Sequence, residues 1–175
     1  MNNKNLTVIN LFGGAGVGKS TIAASLFSYL KSNLVSCELV TEYVKDVVWD
    51  NSANILANQL LVTANQYHKL FRLIDKVDIA VCDSSLLVGS VYDNTNPKLN
   101  ELVLDLYNSF TNINLFVERK TKYDTTGRYQ TEEQAIEIDN EIKNYLFVND
   151  IKVHSIISCN TNISTLVKTL DHIKV

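Results

Sequence analysis

Hydrophobic positions along the chain follow two rhythms. Short runs dense in Val, Ile and Leu, each closed by polar residues, alternate with longer stretches whose apolar residues recur every three to four positions. The short runs are residues 6–12, 36–41, 77–82, 113–117 and 153–158. They read as strands covered on both faces, the pattern of a parallel sheet. The clearest periodic stretches, 19–32, 53–75, 97–110, 131–147 and 163–173, read as helices. Asn96-Pro97 supplies a cap followed by Pro at the first helical position. Thr131-Glu132-Glu133-Gln134 fits a capping box. Strand and helix in alternation predict an α/β fold, a five-stranded parallel sheet flanked by helices and joined by right-handed crossovers. No repeat, low-complexity tract or Pro/Gly linker divides the chain, so residues 1–175 are expected to form a single domain. Ligands of such sheets lie at the carboxyl ends of the strands. Those ends carry Glu42, Asp83, Glu118-Arg119 and Cys159-Asn160.

Between the first strand and the first helix runs Gly13-Gly14-Ala15-Gly16-Val17-Gly18-Lys19-Ser20, followed by Thr21. This is a full match to the phosphate-binding loop G-x-x-x-x-G-K-[ST], in its strand–loop–helix context. Its glycines let backbone N–H groups turn toward phosphate oxygens, and the helix start adds the positive end of its dipole. Lys19 offers a point charge to the β- and γ-phosphates, and the Ser20 hydroxyl can ligate Mg²⁺. Residues 13–21 are therefore the candidate triphosphate site, with Asn160 placed where an adenine would lie against backbone.

Asp83 closes the third apolar run, the place of an acidic residue that holds Mg²⁺ or orients Ser20. The competing reading is a cap on the turn at Ser84 and Ser85. Glu42 closes the second run, where a carboxylate can accept the proton of an attacking hydroxyl. Two of the chain's three arginines, Arg119 and Arg128, fall in residues 118–130. Guanidinium groups suit a phosphoryl group in transfer. With Gly127 as a hinge and a capped helix next, residues 119–130 are expected to form a lid that closes over the nucleotide. On the 53–75 stretch, Gln66 can read a base edge, and Trp49 reads as core more readily than as a base-stacking ring.

Composition narrows this. The chain has 175 residues, 46% of them hydrophobic and 20% charged, with net charge -3 and pI near 5.6. That balance gives no bulk attraction to nucleic acid. Cys37, Cys82 and Cys159 lack metal-ligand spacing and fit small buried hydrophobes in a reducing cytoplasm. The N-terminus lacks a signal peptide's apolar stretch, and no run of apolar residues is long enough to span a membrane.

The loop 13–20, Glu42, Asp83 and Arg119/Arg128 correspond, in order, to the landmarks of the small P-loop nucleoside and nucleotide kinases, which the chain resembles over roughly residues 6–160. Val40-Thr41-Glu42-Tyr43 and Gly127-Arg128-Tyr129-Gln130-Thr131-Glu132-Glu133 are most similar to the ribosylnicotinamide-kinase-like P-loop proteins often encoded by bacteriophages. The resemblance implies a P-loop NTPase fold and an ATP- and Mg²⁺-dependent phosphotransferase. It implies as partners ATP and a nucleoside- or nucleotide-like acceptor, and it leaves homodimerisation open. In its terms Lys19, Glu42, Arg119 and Arg128 act on the transferred group, and Ser20 and Asp83 hold the metal. One departure is Ser84, where thymidylate and deoxynucleoside kinases usually carry Arg. The alternatives are a phage kinase acting on 5-hydroxymethyluracil in DNA, a non-catalytic nucleotide-binding module and a GTPase switch. Thr121-Lys122-Tyr123-Asp124 matches a guanine-reading pattern, but Asp83 is followed by Ser84-Ser85-Leu86, so the D-x-x-G switch is missing. The length leaves no room for the extra helical domain of a large ring ATPase.

Overall fold

The computed structural model describes residues 6–50, 52–92, 95–120, 123, 130–157 and 166–167. Among them, five strands form one sheet: β1 (Thr7–Phe12), β2 (Cys37–Val40), β3 (Ile79–Cys82), β4 (Thr111–Glu118) and β5 (His154–Ile157). Their order is β2-β3-β1-β4-β5, and each neighbouring pair runs parallel. Chain connections leave β1 toward β2 on one side and reach β4 on the other. The strand ends at β1 and β3 therefore flank the point where the winding reverses, the place such sheets reserve for ligands.

Alternation along β1 explains the two cores. Val8 and Phe12 face one layer with α3 (Gln59–Phe71), α5 (Pro97–Asn108) and α6 (Glu132–Val148). Ile9 and Leu11 face the other, against Ile22, Ala23, Leu26 and Leu30 of α1 (Lys19–Ser32). Asn10 shares the first face and is buried. Its amide donates to Asn112 Oδ1 at 2.9 Å and Asn114 Oδ1 at 3.2 Å, and the Tyr107 hydroxyl donates to Asn114 Oδ1 at 2.9 Å. A satisfied polar network of this kind fixes the register of β1 against β4.

Asn96 and Thr131 cap α5 and α6 as expected, the latter with both bonds of the capping box. The 53–75 stretch is not one helix. A 3₁₀ turn, Ala53–Ala57, is followed by Asn58, whose side chain accepts from Leu61 N at 3.2 Å and starts α3 afresh. Two short helices lie outside the expected set, α2 (Tyr43–Trp49) and α4 (Val88–Tyr92). Trp49 is 62% exposed, so it is not core; α2 buries Val47 and leaves Trp49 on its outer side. Of the last expected helix, 163–173, residues 166–167 are helical and the rest lie outside the described residues. Cys37 and Cys82 are buried, as expected, and Cys159 lies outside the described residues. Among the described residues no helix is long and apolar enough to cross a membrane.

Candidate functional site

The loop between β1 and α1 closes over its own lysine. Lys19 Nζ donates to Gly13 O at 2.7 Å and Gly14 O at 2.9 Å. Arg119, just past β4, donates through one terminal nitrogen to Ala15 O at 2.9 Å. Three successive carbonyls are thus turned toward cations, and a trans peptide sends each following N–H the other way. The N–H of Gly14 meets Asp139 Oδ1 at 2.5 Å. Gly18, with φ +96°, forms the N-cap of α1 in a left-handed conformation that a side chain would strain.

Asp139 was not anticipated. It lies on the buried stripe of α6 with Ala135, Ile142 and Leu146, and is 7% exposed. Its second oxygen accepts from Arg119 Nε at 2.8 Å, and Arg119 also donates to Ala135 O at 3.3 Å. The guanidinium lies 5.8 Å from the centre of the Tyr123 ring, whose hydroxyl donates to Gln130 O at 2.7 Å. α6, Arg119 and Tyr123 therefore brace the loop's backbone.

Gly14 is where that brace has least room. A Cβ there would lie 2.5 Å from Ala135 O and 3.0 Å from Asp139 Oδ1. Relief means separating α6 backbone from the loop, so Gly14→Ala is expected to cost about 1–3 kcal/mol, as overpacking does. Nucleotide affinity should fall with stability. Urea unfolding and nucleotide titration together check this; unchanged values for both would mean that the loop does not seat against α6.

Ser20 Oγ donates to Asp83 Oδ2 at 2.6 Å. Asp83 is 4% exposed and its Oδ1 is buried without a hydrogen-bond partner. An unsatisfied buried carboxylate oxygen is costly unless something fills the position. The Ser20–Asp83 donor set fits Mg²⁺, which takes oxygen ligands, keeps several waters and needs few protein groups. Among the described residues no cluster of three or more His, Cys, Asp or Glu offers a fuller metal cage.

Glu42 forms the N-cap of α2 with extended backbone, and its side chain makes no capping bond. It faces a small cavity of about 30 Å³, also lined by Gln59, Thr63, Ser84 and Tyr92. Gln66 holds this wall together. Its Oε1 accepts from Tyr43 N at 2.9 Å, and its Nε2 donates to Ser84 O at 3.4 Å and to Cys82 Sγ at 3.5 Å. The amide is spent on the protein, not on a base edge. The Cys82 thiol donates to Ser84 O at 2.9 Å, and burial pushes its pKa up to about 12, so it is inert. Gln130 Nε2 donates to Tyr92 Oη at 3.2 Å, so the end of the 119–130 segment touches this wall. Gly127, Arg128 and Asn160 lie outside the described residues.

Lys45 also escaped the sequence reading. One turn beyond Glu42, its Nζ donates to Ser20 Oγ at 3.3 Å.

Residues 8–162 match the family model described as an AAA domain. No curated protein matches the sequence. Among solved structures, thymidylate kinase from Ehrlichia chaffeensis is similar with TM-score 0.65 at 14% identity, over 97% of this chain and 100% of that one. Deoxyadenosine kinase from M. mycoides with products dCMP and dCDP is similar with TM-score 0.58 at 17% identity, over 95% and 100%. The dATP-bound form of that enzyme gives TM-score 0.52 at 18% identity, over 96% and 100%. With the family match running from β1 past β5, the chain belongs to this AAA-domain family, and its fold is that of the P-loop nucleotide kinases.

Proposed function

We propose that the protein is an ATP- and Mg²⁺-dependent phosphotransferase that moves a γ-phosphoryl group to a hydroxyl or phosphate of a nucleoside- or nucleotide-like acceptor, working as a single domain. The observation that carries the reading is a pair of half-sites, the loop 13–20 and the start of α2, joined by the Lys45–Ser20 hydrogen bond. On one side stand the loop 13–20, its exposed Ser20 bonded to Asp83, and Lys19. On the other stands a carboxylate, Glu42, free of any capping bond and set on a small, mostly apolar cavity that Gln59, Thr63 and Ser84 also line. A hydrolase sets a positioned water, not an acceptor, against the first half. A kinase needs both, because it must hold an acceptor in line with the phosphoryl group.

In this reading the N–H groups and Lys19 hold the β- and γ-phosphates, and Glu42 orients the acceptor and takes its proton. Ser20 and Asp83 would hold Mg²⁺, which when bound neutralises developing charge on the phosphates. Arg119 and Arg128 belong to the closing segment; Arg119 steadies the loop from its carbonyl side, and Arg128 is assigned to the transferred group. Asn160 is assigned to the base. The cavity at Glu42 holds little more than a water or two, so an acceptor enters by opening it. Tyr92, tied to Gln130, links that opening to the lid.

Support for nucleoside or nucleotide acceptors comes from the fold shared with thymidylate and deoxyadenosine kinases. Ser84 in place of the usual Arg argues for a different grip on the acceptor, since its short hydroxyl has neither the charge nor the reach of a guanidinium. The likeness to phage-encoded ribosylnicotinamide-kinase-like proteins adds nicotinamide riboside and hydroxymethylated DNA as candidates, the polymer disfavoured by the net charge of -3. The AAA-domain match keeps a second reading in view, an ATPase without an acceptor.

Labelled ATP offered with nucleosides, nucleoside monophosphates, nicotinamide riboside and hydroxymethylated DNA separates the two. Label is expected on one acceptor class, with hydrolysis slow in its absence. Brisk ATP hydrolysis with no labelled acceptor would replace the kinase by the ATPase.

A further inference from the structure

We infer that Lys45 is a second phosphate-binding cation, contributed by α2 and directed at the γ-phosphate of the bound triphosphate. The inference rests on the phosphotransferase reading and adds to it a residue that no motif marks. Lys45 Nζ lies 3.3 Å from Ser20 Oγ, the hydroxyl that donates to Asp83 Oδ2 at 2.6 Å. Ser20 and Asp83 are the residues that would hold Mg²⁺ beside the terminal phosphates of a bound triphosphate. An ammonium within hydrogen-bond reach of that hydroxyl therefore stands beside the place of the terminal phosphates, close enough to reach them.

Charge accounting points the same way. Three other cations near the strand ends are spent on carboxylates, Arg119 on Asp139 at 2.8 Å, Lys69 on Asp46 at 2.9 Å and Lys143 on Glu118 at 2.9 Å, and Lys19 is held by loop carbonyls. Among the described residues Lys45 has no such ion pair, and its one hydrogen bond is to Ser20. Its helix is nonetheless fixed. Gln66 accepts from Tyr43 N, Lys69 holds Asp46, and Val47 is buried. Glu42 and Lys45 are three residues apart on this anchored turn, which puts them on one face. One turn thus presents a carboxylate to the acceptor and an ammonium to the group it receives. The four-carbon stem lets Nζ shift from the hydroxyl to a phosphate oxygen once a nucleotide and metal ion enter.

The test is the discrimination between tri- and diphosphate, which needs no acceptor. Calorimetric affinities for the Mg²⁺ complexes of a non-hydrolysable ATP analogue and of ADP are compared in wild type, Lys45→Met and Lys45→Arg. Lys45 is exposed, so both variants are expected to melt with the wild type. Lys45→Met should lose about tenfold or more for the ATP analogue, the worth of one charge-assisted hydrogen bond, with ADP changed less than twofold. Lys45→Arg should recover most of that loss. An unchanged ratio of the two affinities in Lys45→Met overturns the inference. So does a loss confined to the KM of an acceptor, which would move Lys45 to the acceptor side. A wild type that transfers phosphate to no acceptor would defeat the phosphotransferase reading and leave the affinity ratio to judge Lys45.

Discussion

Lys19→Ala is expected to abolish phosphoryl transfer and leave a folded protein. The ammonium is held by the carbonyls of Gly13 and Gly14 and touches no apolar core, so its removal opens no cavity. Two hydrogen bonds to a charged donor are lost, and the carbonyls are left to water. That costs about 1–3 kcal/mol at most, a shift of a few degrees in melting. The effect on rate is of another order. A preorganised cation aimed at developing phosphate charge is worth about 10²–10³ in kcat or more, and no other described residue sits in the loop to replace it. Thermal melting and transfer at saturating ATP check both halves. Activity within tenfold of the wild type would remove the loop from the chemistry. A collapsed melting curve would give Lys19 a structural role instead.

The sheet was legible because buried parallel strands carry unbroken apolar runs, and five such runs precede or follow helical periods. The P-loop motif was legible because it is local: eight consecutive residues supply amides, lysine and hydroxyl. Helix continuity was less so. Apolar periodicity runs through Asn58 without a break, yet the Asn58 side chain finds it more favourable to cap Leu61 N than to sit in a helix interior. α2 is seven residues with one buried side chain, too short for a period to emerge. Contacts between distant parts of the chain were out of reach. Asp139 meets Gly14 across 125 positions. One signal was present, an acid on the apolar stripe Ala135–Asp139–Ile142–Leu146, where burial of a carboxylate demands partners. Lys45 left no such mark, since a lysine three residues after a glutamate on a short helix is ordinary surface. Only the fold brings it to Ser20.

Glu42→Gln is expected to lower kcat about 10²–10⁴-fold while leaving nucleotide affinity within about twofold. The amide has the shape of the carboxylate and keeps an acceptor oxygen, so the cavity wall formed with Gln66 and Ser84 should persist. Stability should hardly move, because Glu42 makes no side-chain bond at the start of α2. What is lost is the capacity to take a proton. The size of the effect then reports the acceptor. A hydroxyl must shed its proton as the phosphorus–oxygen bond forms. A phosphate monoester, with its second pKa near about 6, is already ionised at neutral pH and needs orientation alone. The full loss therefore belongs to a nucleoside-type hydroxyl, and a loss below about tenfold to a monophosphate. Measured with saturating ATP and each acceptor in turn, kcat decides between them. If kcat stays within a few-fold of the wild type for every hydroxyl acceptor the enzyme uses, Glu42 is not the base, and the carboxylate at the end of β2 serves only to shape the pocket.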